Sequence, residues 1–532
     1  IRDVNGTAIG TSGITMFDTA TGIHIINNSF TGGINGIVPT RDSIVRGNDV
    51  DGAINGIEIG AGEGNITVRS NEVSGATNVG IGLTNSQPGI KIDANNLTAN
   101  PGNGIGIVGT DDVAVTDNDA TGNSNGIFLD SSSDNNVTAN NATGNTEDGI
   151  DISAADDNTV LANNASANDR NGILLDSSNN NNLTANNANE NGRNGILLDS
   201  SSDNNDVTEN NASGNDRDGI LLDSSSNNNL TANNATGNFI NGIGVTFSSN
   251  NNNVTENNAS GNGDRGIFLF SSSNNNNVTD NNASGNTNGI FLESLSDNNT
   301  VTENNASGNS QSGILLTRSS DNNNVTENNA TGNVERGIFL DSSSDNNVKA
   351  NNATGNRVGI FTSSSSDNNT VTANNASGNS FSGIFLQSSS NSNVTENNAS
   401  GNDANGIFLS SSSDNNDVTA NDANDNRNGI LIRGSSNNNV TANSANENRN
   451  GIFLFSSSVS SSDNNDFTDN TARNNADSDF RVDDSSGNVV ENLDIGDSTA
   501  PDTTLDFTGN NFRLSAKRRR LSKRKRNERI VV

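Results

Sequence analysis

The sequence predicts an all-β solenoid in which a coil of about 23 residues is repeated about 20 times, and three observations carry that prediction. A Gly-Ile or similar pair recurs at Gly13, Gly36, Gly56, Gly80, Gly104, Gly126, Gly149 and onward to Gly451, at spacings of 20 to 24 residues. One coil, Gly126 to Asp148, reads GIFLDSSSDNNVTANNATGNTED, and it returns lightly edited along most of the chain. Its columns hold like residues: the Val137 position is refilled by Leu183, Val207, Leu230 and Val254, and the Ala142 position by Ala165, Ala188, Ala212 and Ala235. No helical period runs through the coil, and Asn, Ser, Gly and Thr disfavour helix. Three short strands per coil, stacked like on like, make a right-handed parallel β-helix.

Each element of the coil has its own reason. Ile127 and Leu129 stand two residues apart and face one side of a first strand. The polar run Asp130 to Asn135 makes a turn. Val137 points inward from a second strand and Ala142 from a third, with Asn140 and Asn145 at the bends. Asn140 and its equivalents, among them Asn163, Asn186 and Asn210, are expected to form a ladder of stacked amides. Asn suits this place because it tolerates a left-handed bend.

Composition alone would suggest disorder, since only 29% of the 532 residues are hydrophobic and 4% aromatic. A solenoid removes the conflict, because each coil shares its thin core with its neighbours. The formal charge is -34. Residues 513 to 529 hold ten of the 28 basic residues and one of the 62 acids, which leaves about -43 on the body and +9 on the tail. Such a body repels nucleic acid and anionic membranes, and abundant Asp with little Lys fits a halophile's protein. Cysteine is absent, so neither a disulfide framework nor thiolate chemistry is available. No apolar run is long enough to span a bilayer, and the expected location is extracellular or on the cell surface, with a leader removed or the sequence a fragment of a longer chain.

Along the chain, residues 1–115 keep the period with more variation, and 116–484 form the regular array. Residues 485–512 are expected to act as a cap or linker. Residues 513–532 form a basic, disordered tail, in which no aromatic residue is interleaved, so nucleic acid is not an expected partner.

The repeat GI(F/L)L, SSSDNN, V-T-x-N-N-A-(S/T)-G-N resembles the parallel β-helix repeats of NosD-type periplasmic proteins and the wider group of carbohydrate-binding and sugar-hydrolase β-helix domains. The resemblance covers roughly residues 13 to 484. It implies the fold and secretion, and for NosD a part in supplying copper to a reductase. Copper needs soft or imidazole ligands, whereas this chain offers one histidine, His24, and one methionine, Met16. The copper role is therefore not carried over. The family's uronan epimerases and lyases use Tyr, His or Arg, and a Tyr-His pair cannot exist in a chain without tyrosine.

Three features remain free of the fold. Phe128, Phe268, Phe291, Phe339, Phe361, Phe385, Phe408 and Phe453 lie between inward residues, point outward, and could bind a partner or glycan or simply stack on one another. Asp176, Asp199 and Asp223 share one turn column and could hold weak calcium or monovalent cations, or form a solvated acidic face; no other cofactor is expected. Asn141, Asn164, Asn211, Asn234, Asn258, Asn282, Asn305, Asn329, Asn352, Asn375 and Asn398 each begin an Asn-Ala-Ser/Thr glycosylation signal. The leading expectation is an exported, non-enzymatic protein of structural or adhesion type, with polysaccharide or envelope components as partners. The alternative is a polysaccharide lyase or hydrolase with its site in residues 41–112, where the repeat is least uniform.

Overall fold

The computed structural model describes residues 1–495 apart from 3–4, 8–11, 17–19 and 457–459, together with 504–506, 509–513 and 529–531. Most of the basic tail lies outside the described residues. Two compact units divide the chain, Ile1–Gly263 and Asp264–Val532.

In the first unit every coil contributes one strand to each of two long parallel sheets. The first sheet carries Ile127–Asp130, Ile150–Ser153, Ile173–Asp176, Ile196–Asp199, Ile220–Asp223 and Ile243–Thr246, with Ile127, Ile150, Ile173 and Ile196 stacked in register. The second carries the Asn-Val-Thr strands, with Val137, Val160, Leu183, Val207, Leu230 and Val254 in one column. These inward columns are fully buried, and Ala142 and its equivalents close the core from the third side.

Among the described residues the third sheet has strands only early in the chain, at Asn5–Thr7, Ser29–Thr31, Asp49–Asp51, Glu72–Ser74 and Asn96–Thr98, with Phe30, Val50, Val73 and Leu97 facing inward. From Asp119 onward it shrinks to one bridged residue per coil, Asp119 to Asn141 to Asn164. The cause is local: Asn, Ala and Gly are poor strand formers, and Ala fills less of the core than Phe or Val.

Amide ladders run through the corners. The backbone N–H of Asn140 donates to Asn163 Oδ1 at 2.9 Å, and its side-chain amide donates to the same oxygen at 3.0 Å and to the Val115 carbonyl at 2.9 Å. Asn135 with Asn158, and Asn145 with Asn168, form parallel ladders of the same kind. The left-handed bend, however, belongs not to Asn140 but to the residue before it. Ala139, Ala162, Ala185 and Glu209 have φ near +55°, while the Asn that follows turns its side chain into the core. Glycine is required at the Gly126 position for a different reason: a Cβ there would sit 2.6 Å from the Gly149 carbonyl oxygen and 2.8 Å from Ala142 Cβ.

In the second unit the first-sheet strands lengthen to six residues, from Arg265–Phe270 to Ser478–Asp483. The second sheet continues through Val489–Glu491 to Asn511–Arg513, with Val490 and Phe512 paired in register. Phe467 and Phe480 replace smaller core residues near the end and meet edge to face at 5.3 Å.

Candidate functional site

In the second unit, the outer face of the first sheet is built from aromatic rings and arginines. Alternation along each strand sends Ile and Leu inward and the residue between them outward. Parallel register then places Phe339, Phe361, Phe385 and Phe408 directly over one another. Their rings stack at centroid distances of 4.9, 4.8 and 4.6 Å, close to the strand spacing itself. Phe268 and Phe291 pair at 5.5 Å lower in the unit. Stacking hides most of each ring: Phe268, Phe291, Phe361 and Phe408 keep 8 to 9% of their surface exposed. What reaches solvent is a narrow row of ring edges.

Arginines close over this row. The Arg265 guanidinium lies 4.1 Å from the Phe268 ring centre, and that of Arg336 lies 4.3 Å from Phe339. Partial burial there lowers the pKa of Arg336 from its usual value. At the far end, Arg481 takes the outward position next to Phe453, and its guanidinium lies 4.8 Å from that ring. Here the face hollows into a groove of about 520 Å³ lined by Phe453, Phe455, Arg427, Arg449, Arg481 and Ser478.

The acidic column is an arrangement of neighbours rather than a cage. Asp176 and Asp199 occupy paired positions on adjacent strands. Burial first, then the Asp199 charge, raises the pKa of Asp223, against a hydrogen bond from Ser224. Among the described residues no three His, Cys, Asp or Glu side chains gather as a metal-holding group.

Sequence reasoning missed a stronger carboxylate. Asp151 interrupts the outward column between Phe128 and Leu174. Burial pushes its pKa up to about 6, assisted by the nearby Asp148 and Asp176 charges and opposed by the Ser153 hydrogen bond. Asp148, itself raised by burial, accepts from the backbone and side chain of Asn171. The signal available in the sequence was an acid in a column that Phe and Leu mostly hold, as Glu58 also is nearer the start of the chain. The 41–112 region holds a second hollow, also about 520 Å³, lined by Arg41, Asp42, Asn65 and Gln87. Asp42 accepts there from Asn65 at 2.7 Å, and Glu63 beside it accepts from the backbone N–H of Arg41.

The glycosylation asparagines form an outer ladder of their own. The Asn234 amide donates to Asn211 Oδ1 at 2.9 Å, Asn258 to Asn234 at 3.1 Å, and Asn305 to Asn282 at 3.0 Å. The hydroxyl two residues on donates to the same side chain, as Ser213 does to Asn211 at 2.8 Å.

With this geometry in view, comparison with known proteins is informative about the fold. Residues 1–120, 55–212, 103–259 and 168–306 match the family described as a right-handed beta helix region, together more than half of the chain. The chain belongs to the right-handed β-helix family. The later part of this β-helix protein, at residues 248–380, 323–421 and 411–511, also matches the periplasmic copper-binding protein (NosD) family. Comparison with curated proteins gives no match. Similar solved structures include the periplasmic alginate epimerase AlgG, at 14% identity over 70% of this chain and 73% of that one, TM-score 0.28. The Azotobacter vinelandii mannuronan C-5 epimerase AlgE6 A-module is 12% identical over 70% and 89%, TM-score 0.27. The Dettilon tailspike protein is 15% identical over 63% and 62%, TM-score 0.30.

The residues of this β-helix do not fit copper. His24, on the exposed end of the strand His24–Ile26, is its one imidazole, Met16 its one thioether, and thiols are absent. Among the described residues, no helix is long and apolar enough to cross a membrane.

Proposed function

We propose that this β-helix is an exported, non-catalytic protein of the cell surface or its surroundings that binds an extended glycan or envelope partner along the outer face of its first sheet. The observation that carries the reading is the ring stack Phe339, Phe361, Phe385 and Phe408 with arginines closed over its neighbours. A straight row of apolar edges at strand spacing matches a linear partner rather than a compact one. The match of the later coils to a periplasmic family supports a place outside the cytoplasm. Affinity electrophoresis against a panel of neutral and acidic polysaccharides tests it. Retardation that weakens in Phe361→Ser/Phe385→Ser, with the fold intact by circular dichroism, is the expected result. No retardation by any polysaccharide overturns the reading.

A second reading, a polysaccharide-active enzyme, is favoured by one observation, the raised Asp151 carboxyl beside Asp148. A carboxyl held near neutral pKa suits a general acid. Incubation with acidic polysaccharides, scored for new reducing ends or unsaturated products, tests it; turnover that survives Asp151→Asn removes this site from the chemistry.

A further inference from the structure

We infer that the groove at the far end of the second unit is a subsite for the acidic group of a sugar, a carboxylate or a sulfate, carried on a polyanionic glycan. The inference rests on the glycan-binding reading above and names the chemistry of one subsite within it.

The groove brings together side chains that lie far apart in sequence. Arg427 and Arg449 hold equivalent edge positions on successive coils, and Arg481 stands in the outward column of the next strand. Three guanidiniums against one lining carboxylate, Asp477, make a local excess of positive charge on a chain with a formal charge of -34. Arg427 makes no ion pair among the described residues. Arg449 is tied to Asp477 through its Nε, which leaves its terminal N–H groups for another acceptor. Arg481 is held by Asp483 on one side and by the Phe453 ring on the other. A guanidinium fixed in this way presents its fork without losing further side-chain freedom on binding.

The second observation is independent of charge. Ser478 lines the groove, is 1% exposed, and its hydroxyl has no hydrogen-bond partner. A buried hydroxyl without a partner is costly, and a ligand oxygen would supply the missing bond. Phe453 and Phe455, with ring centres 5.0 Å apart, give the same groove an apolar floor. Donors on the wall and rings on the floor suit a ligand with an acidic group on an apolar ring face, which an acidic sugar has. The volume, about 520 Å³, is in the range of small-ligand sites.

The test uses the full chain in affinity electrophoresis and titration calorimetry with polygalacturonate, dextran sulfate and neutral dextran. Arg427→Gln/Arg481→Gln and Ser478→Ala are compared with Arg473→Gln, which removes one positive charge paired to Asp494 outside the groove. The expected result is a loss of about tenfold or more in acidic-polysaccharide affinity for the double variant, the scale of one or two charge-assisted hydrogen bonds. Arg473→Gln should leave affinity unchanged, and dextran should respond to none of the three. Polygalacturonate and dextran sulfate separate carboxylate from sulfate. Equal binding of dextran and both polyanions by the wild type overturns the subsite while leaving the glycan reading intact. So does equal loss in Arg473→Gln and the double variant. Absence of binding to all three overturns both.

Discussion

Asn475 donates its backbone N–H, at 3.1 Å, and its side-chain amide, at 2.9 Å, to one carboxylate oxygen of Asp479, four residues on in the same coil. Lower in the unit the same two donors of each ladder Asn reach the Asn of the following coil, as Asn379 does to Asn402. Asp479 thus ends the ladder from within. It stands where other coils have the Gly of the Gly-Ile pair, above Gly451, and among the described residues no further first-sheet strand follows to forbid a side chain there. Asp479→Gly restores the repeat but leaves two buried donors unpaired, at a cost of about 1 to 3 kcal/mol. Because coils contact only their neighbours, the loss should appear as faster amide exchange in residues 478–491, with earlier coils unchanged. Unaltered exchange in this variant would remove the terminating role.

Asp151 makes the stability of the first unit depend on pH. Its folded pKa, about 6, lies above the ordinary 3.8, so the folded state holds the proton more tightly than the unfolded chain. Its contribution is fully present below about pH 4 and is lost as pH rises through 6, on the order of 2 kcal/mol after allowance for partial exposure. Asp151→Leu joins Phe128 to Leu174 in an unbroken apolar column. Thermal unfolding of both proteins from pH 4 to 8 should give curves that separate with rising pH, the variant melting higher at pH 8. A constant difference across that range contradicts the assignment.

Phe385 stacks on two rings, Phe361 at 4.8 Å and Phe408 at 4.6 Å, and meets a third, Phe381, edge on at 6.2 Å. Ring pairs contribute about 0.5 to 1.5 kcal/mol each beyond area burial, so Phe385→Ala should cost about 2 to 4 kcal/mol in chemical denaturation. Phe385→Leu should cost only about 1, since Leu315 and Leu431 already hold this column. Equal costs for Ala and Leu would mean that the rings do not stack in solution.

Much of this architecture was legible because repetition aligns columns without any knowledge of register between distant segments. Ile127, Leu129, Val137 and Ala142 could be placed inside, and Phe128 outside, from alternation and recurrence alone. The third strand could be located but not measured from sequence: inward Ala142 marks its place, and pairing there runs through one residue per coil, Asn141 to Asn164. The groove was illegible for another reason. Arg427 and Arg449 fill a position that Arg170, Arg193, Arg217 and Arg357 also hold, whereas Arg481 replaces an outward Phe, and only three-dimensional stacking of successive coils shows that the three share one wall. Asp479 was hidden by a change of role: a lost Gly reads as decay of the repeat until the unpaired amide of Asn475 is seen to need it.

The left-handed position before each ladder Asn gives a sharper test of the coil. Ala373 has φ +56°, and the equivalent residues are Ala, Glu or Asp through most of the array. A β-branched side chain tolerates this conformation poorly, so Ala373→Val should destabilise by about 1 to 2 kcal/mol. Ala373→Asn should be neutral or slightly stabilising, because Asn enters this region more readily. Urea unfolding of the pair decides it, and equal stability would place the bend elsewhere.

The glycosylation signals carry a constraint set by the rungs. Asn329, Asn352, Asn375 and Asn398 follow one another on successive coils, each amide donating to the Asn beneath at 3.0 to 3.3 Å in this stretch. Successive rungs lie about 4.8 Å apart, roughly the width of a sugar ring, so glycans on neighbouring coils would collide. A glycan on the Asn nitrogen also leaves that nitrogen a single N–H for the ladder. Chain produced in a glycosylating host should therefore carry glycans on non-adjacent coils, and folded chain offered to the transferase afterwards should accept almost none. Site-resolved mass spectrometry reads both. Full occupancy of Asn352 and Asn375 on the same molecule would show that the outer ladder is not a fixed part of the fold.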